Sequence, residues 1–383
     1  MESPRHPDSA ALCRGQQSGR HVSDRRSFLL RRPRFAAFLF GVALTVAVTV
    51  VLEFVFWGIN ACTYPGAGIA RRSSLGLWQL DGKLGVAPGR NARHTQAAYK
   101  GDELVFSTTY TIDAHRRRIV SHTPPLDLAP RRQFLLCFGC SFMFGIGVED
   151  DQTLPFYLAQ NAPGHHVYNY AFGTYGPHHT LAMLEEPGFS EHVEEDDGIA
   201  IYLYLVCHCR RALGSMRMVS SFGRNAPCYE LDGHGRVVYQ GSFAETRPWR
   251  GRLYDLLARD QILKFFRIDF PVMSARANAA FAAEVLNAAF AQYQRDFGND
   301  RFYVVVYPAP AAHEQMFNEH ARVLEKRGLK VLNYAGLFDR LAPGMLIEHE
   351  VHPTPEAHRI VAERIAADLG LSSGASSIPP ANQ

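Results

Sequence analysis

The 383-residue chain lacks the motifs of most cofactor-dependent chemistry. It has no Walker A loop, no dinucleotide-binding glycine pattern after a first strand and no H-E-x-x-H. No cofactor and no metal ion are therefore expected. Net charge is also scarce, +3 at pH 7, and it is unevenly placed. Residues 1–34 carry eight arginines against Glu2, Asp8 and Asp24, a net +5, so the rest of the chain sums to −2. A near-neutral body with a basic tail argues against nucleic acid as a partner. From Phe35 to Ile59 charge is missing altogether except for Glu53. As a helix this run spans about 37 Å, enough to cross a bilayer core. The preceding arginines put the N-terminus inside and everything after residue 60 outside the cytoplasm. The expectation is a single-pass protein of the inner (cytoplasmic) membrane with a basic cytoplasmic tail (1–34) and a transmembrane helix (35–59). The run is too long, and Ile59-Asn60-Ala61-Cys62 too poor an exit, for a cleaved signal peptide.

What is present is a globular composition, 47% hydrophobic and 20% charged, long enough for one sizeable core. Residues 60–130 are glycine-rich, with short strand-like stretches at Leu104-Val105-Phe106 and Tyr110-Thr111-Ile112 and a turn at Asp113-Ala114-His115-Arg116-Arg117 between extended pieces. They read as a small β-rich cap or stalk that is too poor in apolar residues to fold alone. From 131 to 371 strand and helix patterns alternate. Strands are expected at 133–138, 166–171, 198–206, 301–307 and 329–333, and helices near 151–160, 176–185, 274–296, 312–327 and 354–369. This alternation predicts a three-layer α/β/α domain with a parallel sheet. An insertion at 214–270 carries an Asp-Gly-containing hairpin around 228–240, a lid or a surface decoration. The last twelve residues, 372–383, read as disordered.

Seven cysteines stand at 13, 62, 137, 140, 207, 209 and 228. Cys137-x-x-Cys140 and Cys207-His208-Cys209 end strands expected to be neighbours. Buried free thiols, a disulfide between the strand ends and a zinc pair are all readable there. The first is favoured because Cys137 lies inside its strand.

The apolar run Gln133–Phe138 breaks at Gly139-Cys140-Ser141-Phe142-Met143-Phe144-Gly145, which puts Ser141 at the carboxyl edge of the sheet, where ligands bind. About two hundred residues later Glu350-Val351-His352-Pro353 precedes a helix. A serine needs a base within reach, which His352 would supply; Glu350, favoured over a dyad without a carboxylate, would hold the imidazole, and Glu348 is a further candidate. The plainer reading makes Ser141 a helix N-cap and His352 a helix-entry residue.

Phe138–Gly145 resembles the G-D-S-x-x-x-G nucleophile block of the SGNH (GDSL-type) hydrolases, and Glu350–Pro353 resembles their D-x-H-P or D-x-x-H-P block. Val167–Gly176 resembles the second block, an asparagine at a strand end before a glycine loop. The resemblance covers roughly residues 131–370. It implies a flavodoxin-like sheet, a Ser141 nucleophile, an oxyanion hole using Ser141 N–H and an N–H of Gly173 or Thr174, and an acylated carbohydrate or small ester as substrate. The chain departs from the family in two places. Cys140 replaces the aspartate of G-D-S. In the third block Val206-Cys207-His208-Cys209 stands where Gly-x-Asn-Asp is usual, so His208 takes the place of the asparagine donor. The resemblance implies an esterase or O-acyltransferase, and the altered third block a weakened binding or assembly subunit as the alternative.

Overall fold

Residues 33–63, 68–120, 133–308, 313–338 and 344–371 are described by the computed structural model of the chain. Most of the basic segment, Cys13 and the residues from 372 lie outside them. The chain divides into two compact units, Met1–Gly58 and Ile59–Gln383. The apolar run forms helix α1 (Pro33–Thr63), whose hydrophobic side chains are almost all exposed. It is long and apolar enough to cross a membrane.

Glycine-punctuated sequence after the helix folds into antiparallel strands. β1 (Ile69–Ser73), β4 (Ala92–Lys100) and β5 (Glu103–Ile112) form one sheet in the order β1-β4-β5. A small ribbon of β2 (Gln79–Asp81) and β3 (Gly85–Ala87) lies between β1 and β4 in the chain. The two short stretches expected at 104–112 are thus a single ten-residue strand. Its alternation of buried and exposed residues was masked by the polar Ser107, Thr108 and Thr109 at its centre. Leu77, Ala98, Phe106, Tyr110 and Ile112 join the same hydrophobic core as the rest of this unit. That sharing is why so small a sheet is stable.

The five apolar runs form one parallel sheet: β6 (Gln133–Phe138), β7 (His165–Asn169), β8 (Gly198–Tyr204), β11 (Phe302–Val306) and β12 (Lys330–Asn333). Its order is β12-β11-β8-β6-β7, the doubly wound arrangement of flavodoxin-like sheets. The short turn helix α2 (Ser141–Phe144) and helix α3 (Leu154–Asn161) follow β6, and α4 (Pro177–Leu184) follows β7. α5 (His208–Leu213) opens the long connection after β8. That connection holds hairpin strands β9 (Pro227–Leu231) and β10 (Val237–Ser242), as expected. It also holds two helices the sequence reading did not anticipate, α6 (Pro248–Leu257) and α7 (Gln261–Phe265). Both were hidden because their apolar residues do not face the core. A separate small cluster of Met216, Val219, Cys228, Phe243 and Tyr254 holds the insertion together. Helix α8 (Ala275–Phe297) packs beside α4 and beside α9 (Glu314–Lys326), while α10 (Pro355–Asp368) packs on α3. Helices therefore cover both faces of the sheet. Strand order reverses between β6 and β8, so the crevice at their carboxyl ends is where the topology itself opens a site.

One residue joins the two sheets. The backbone of Arg118 bridges to Ile112 of β5 and to Asn169 of β7. Its side chain is fully buried and donates to the carbonyls of Phe144 (2.9 Å), Gly145 (2.6 Å) and Val148 (2.7 Å) and to Asp150 (2.8 Å). It lies against the rings of Tyr110 and Phe144. Arg118→Met is expected to cost about 3–5 kcal/mol in denaturant unfolding, because it leaves three buried carbonyls without donors and removes the ion pair of Asp150. An unchanged midpoint would mean that water replaces the guanidinium.

Candidate active site

β6 ends in a turn that its two glycines make possible. Gly139 has φ of 148°, and an added Cβ would come within 3.2 Å of the Leu203 carbonyl oxygen, so only glycine lets the turn lie against β8. Gly145 has φ of 86°, and a Cβ there would meet Thr153 at 2.6 Å and Arg118 at 3.0 Å. Between them Ser141 opens α2. As its first helical residue it has a backbone N–H with no intrahelical acceptor. Its carbonyl accepts from the N–H groups of Gly145 and Ile146. Ser141 is 8% exposed.

The late block forms a closed turn ahead of α10. Ile347 N–H donates to His352 O (2.9 Å) and Thr354 N–H to Met345 O (3.0 Å). Inside this turn His352 Nδ1 donates to Glu350 Oε2 at 2.8 Å, which leaves Nε2 as the basic nitrogen. Val351 N–H donates to the same oxygen, and Arg71 of β1 pairs with the other. Burial alone would raise the Glu350 pKa. His352, the Val351 N–H and Arg71 outweigh it and hold the carboxyl at about 2. Glu348 is exposed, and His349 faces Lys100 of β4, so Glu350 is the carboxylate that meets the imidazole. The His352 ring lies 5.7 Å from that of Phe142, the neighbour of Ser141. The serine turn and the acid-histidine turn thus meet in one corner. Ser141 and His352 are not hydrogen-bonded to each other among the described contacts.

The second loop is tied to the serine turn by Asn169, whose Nδ2 donates to Met143 O (3.3 Å) while its Oδ1 accepts from Ala171 N–H (3.2 Å). The sequence could not choose between Gly173 and Thr174, and the two differ. A Cβ on Gly173 would collide with the Trp78 ring at 2.4 Å. Thr174 holds φ of 73°, the left-handed region that glycine adopts more readily. Arg211 supports this loop by donating to Tyr175 O at 2.7 Å.

His208 lies at the carboxyl end of β8, as expected, but its ring is wholly buried. Nδ1 accepts from Tyr202 O–H (2.8 Å) and Leu205 N–H (3.3 Å), which puts the ring proton on Nε2. That buried N–H has no partner among the described residues, and burial holds the ring neutral, its pKa well below 6.5. Tyr307, whose ring meets Phe142 at 5.1 Å, likewise has a buried hydroxyl without a partner.

Arg71, Trp78, Arg118, Arg211 and Tyr307 were missed in the sequence, where no spacing or motif connects them to Ser141 or His352. Cys62, Cys137, Cys140, Cys207, Cys209 and Cys228 are free thiols. Burial pushes the pKa of Cys137 and Cys207 up and that of Cys209 to about 12, so these three stay protonated and poorly nucleophilic. Among the described residues one group has the spacing of metal ligands: His166, Glu194 and Glu195. It lies near the amino end of β7, away from the serine turn, and Glu195 already bonds His166 and accepts from Tyr168 O–H.

No family model matches the chain, and no curated protein matches it. Solved structures do. A member of the lipolytic G-D-S-L family from Veillonella parvula is 12% identical, with 62% of this chain and 97% of that one covered and a TM-score of 0.36. A lipase from a goat rumen metagenome is 13% identical, over 61% and 96%, with a TM-score of 0.38. An acetyl xylan esterase from Butyrivibrio proteoclasticus is 9% identical, over 64% and 66%, with a TM-score of 0.35. At these values none of them decides what this chain does.

A depressed carboxylate stabilises the fold above its ordinary pKa of 4.5, and that contribution is lost as pH falls toward about 2. Between those values the native protein is expected to lose stability more steeply than Glu350→Gln in urea unfolding. Parallel acid limbs would show that the carboxylate is not held as described.

Proposed function

We propose that the chain is a membrane-anchored serine esterase or O-acyltransferase that removes or moves an acyl group, such as acetyl, through Ser141. The observation that carries this reading is the buried, ionised Glu350 carboxylate holding the His352 imidazole beside the serine turn. In the proposed reaction His352 Nε2 takes the Ser141 hydroxyl proton as Oγ attacks the acyl carbonyl carbon. The bond to the leaving alcohol oxygen then breaks, that oxygen receives the proton from His352, and an acyl-Ser141 remains. Water or a second hydroxyl, deprotonated by His352, resolves it, giving a hydrolase or a transferase respectively. The Ser141 N–H and an N–H of the Gly173–Thr174 loop are the proposed donors to the oxyanion. An acylated cell-envelope polysaccharide is the proposed substrate. The half-exposed Trp78 ring over Gly173 suits it, offering a flat apolar surface to a sugar face.

The buried His208 ring favours a second reading, a weakened binding or assembly subunit whose oxyanion hole is one donor short. Labelling with a fluorophosphonate probe separates the two. Ser141 is expected to be labelled, Ser141→Ala to lose both labelling and acetyl-ester turnover with its melting temperature kept, and His352→Ala to be about as severe. No labelling of the native chain would favour the second reading.

In this proposal α1 crosses the inner membrane with the N-terminus inside. A reporter active only outside the cytoplasm should work when fused after residue 62 and stay silent when fused at residue 20. The reverse pattern would overturn the anchoring.

A further inference from the structure

Helix α6 is amphipathic in the wrong sense for a helix that only packs on its domain. Gly251 and Tyr254 face inward, Tyr254 stacking on Phe243 in the insertion's own cluster. Trp249, Leu253 and Leu256, spaced four and three residues apart and so on one face, turn outward. They are 77%, 50% and 67% exposed. A row of large apolar side chains kept in water marks a binding surface.

The charges around this row identify its occupant. Residues 247–267 contain six basic side chains against Asp255 and Asp260. Both acids are already engaged, Asp255 with Arg224 and Asp260 in capping Leu263 N–H. Arg252, Arg259 and Lys264 are exposed, and none of them forms an ion pair among the described residues. Arg252 lies over the Trp249 ring at 4.9 Å, so cation and aromatic are presented together. Apolar residues on one helical face, flanked by unpaired cations, are the pattern of a helix that lies in the interface of an anionic bilayer.

Such a surface is within reach. Residues 64–68, between α1 and β1, extend at most about 20 Å. Within the compact unit that begins at Ile59, Asn60 Nδ2 donates to the Gln261 carbonyl oxygen of α7 at 3.1 Å.

We infer that α6 docks on the anionic lipid surface of the membrane that anchors the chain, with Trp249, Leu253 and Leu256 in the headgroup layer and Arg252, Arg259 and Lys264 on lipid phosphates. This rests on the anchoring reading of α1 but not on any reading of Ser141. It makes the insertion a second, peripheral membrane contact and sets the domain's orientation over the bilayer.

The test uses the full-length chain in vesicles, with Trp57 and Trp78 replaced by phenylalanine so that Trp249 is the only tryptophan left. In vesicles containing phosphatidylglycerol, brominated phosphatidylcholine is expected to quench Trp249 by roughly half and iodide hardly at all, as for an interfacial side chain. Arg252→Glu with Arg259→Glu should abolish the lipid quenching. Hydrogen exchange over residues 248–257 of the unmodified chain, slower in these vesicles than in detergent, gives the same answer without the tryptophan replacements. Trp249 open to iodide and untouched by bromolipid, in a chain that still floats with the vesicles, overturns the docking. Protection from iodide without lipid quenching also overturns it, and assigns the face to protein, such as a second copy. Failure of the anchoring reading shows separately, as a chain that does not float.

Discussion

A buried guanidinium holds the architecture of this site together. Arg118 satisfies the carbonyls at the end of the serine turn, pairs with Asp150, and through its backbone joins the antiparallel sheet to the edge of the parallel one. Few other side chains suit that place. A hydrophobic residue would leave carbonyls without donors, and lysine, a point charge, cannot reproduce a planar fork that addresses four oxygens. The cost of burying the charge is repaid only because four of its five N–H groups have fixed acceptors. The serine turn is therefore held from behind by polar contacts and from in front by β8, where Gly139 allows close approach. The nucleophile role proposed for Ser141 needs that rigidity, since a small displacement costs much of its advantage.

The acid-histidine turn is supported differently. Its carboxylate lies between an imidazole from the same turn and Arg71 from a strand near the start of the folded unit. Lys100 reaches the same turn through His349. The N-terminal sheet that looked like an accessory in the sequence is thus part of the candidate site. The sheet supplies a charge to Glu350 and, through Arg118, an anchor to the serine turn, while Trp78 just before β2 supplies a ring to the second loop.

The parallel sheet was legible because buried parallel strands are continuous apolar runs, and Gln133–Phe138 and Gly198–Tyr204 read that way without ambiguity. The helices between them followed from periodicity, and their ends agree within a few residues. Ser141, Glu350 and His352 were legible for another reason: their neighbours, glycines and prolines, carry backbone information in the sequence itself. Arg71 and Arg118 were not, since an arginine that pairs across long sequence separation looks like any surface arginine. His208 shows the limit from the other side. Its position just after β8 could be read, but not that Tyr202, six residues earlier on that strand, occupies its Nδ1. α6 was missed because its apolar stripe faces away from the core, where pattern reading expects polar residues.

Strand β1 begins six residues after α1 ends, and it carries Arg71. The short stretch between the proposed membrane helix and the folded unit thus runs directly into the ion pair on Glu350. A soluble form released by cutting between Thr63 and Ile69 would keep the electrostatics of the acid-histidine pair. One cut a few residues later would keep the parallel sheet and lose the partner of Glu350. In the proposed reading, a single short strand separates the tether from the acid-histidine pair.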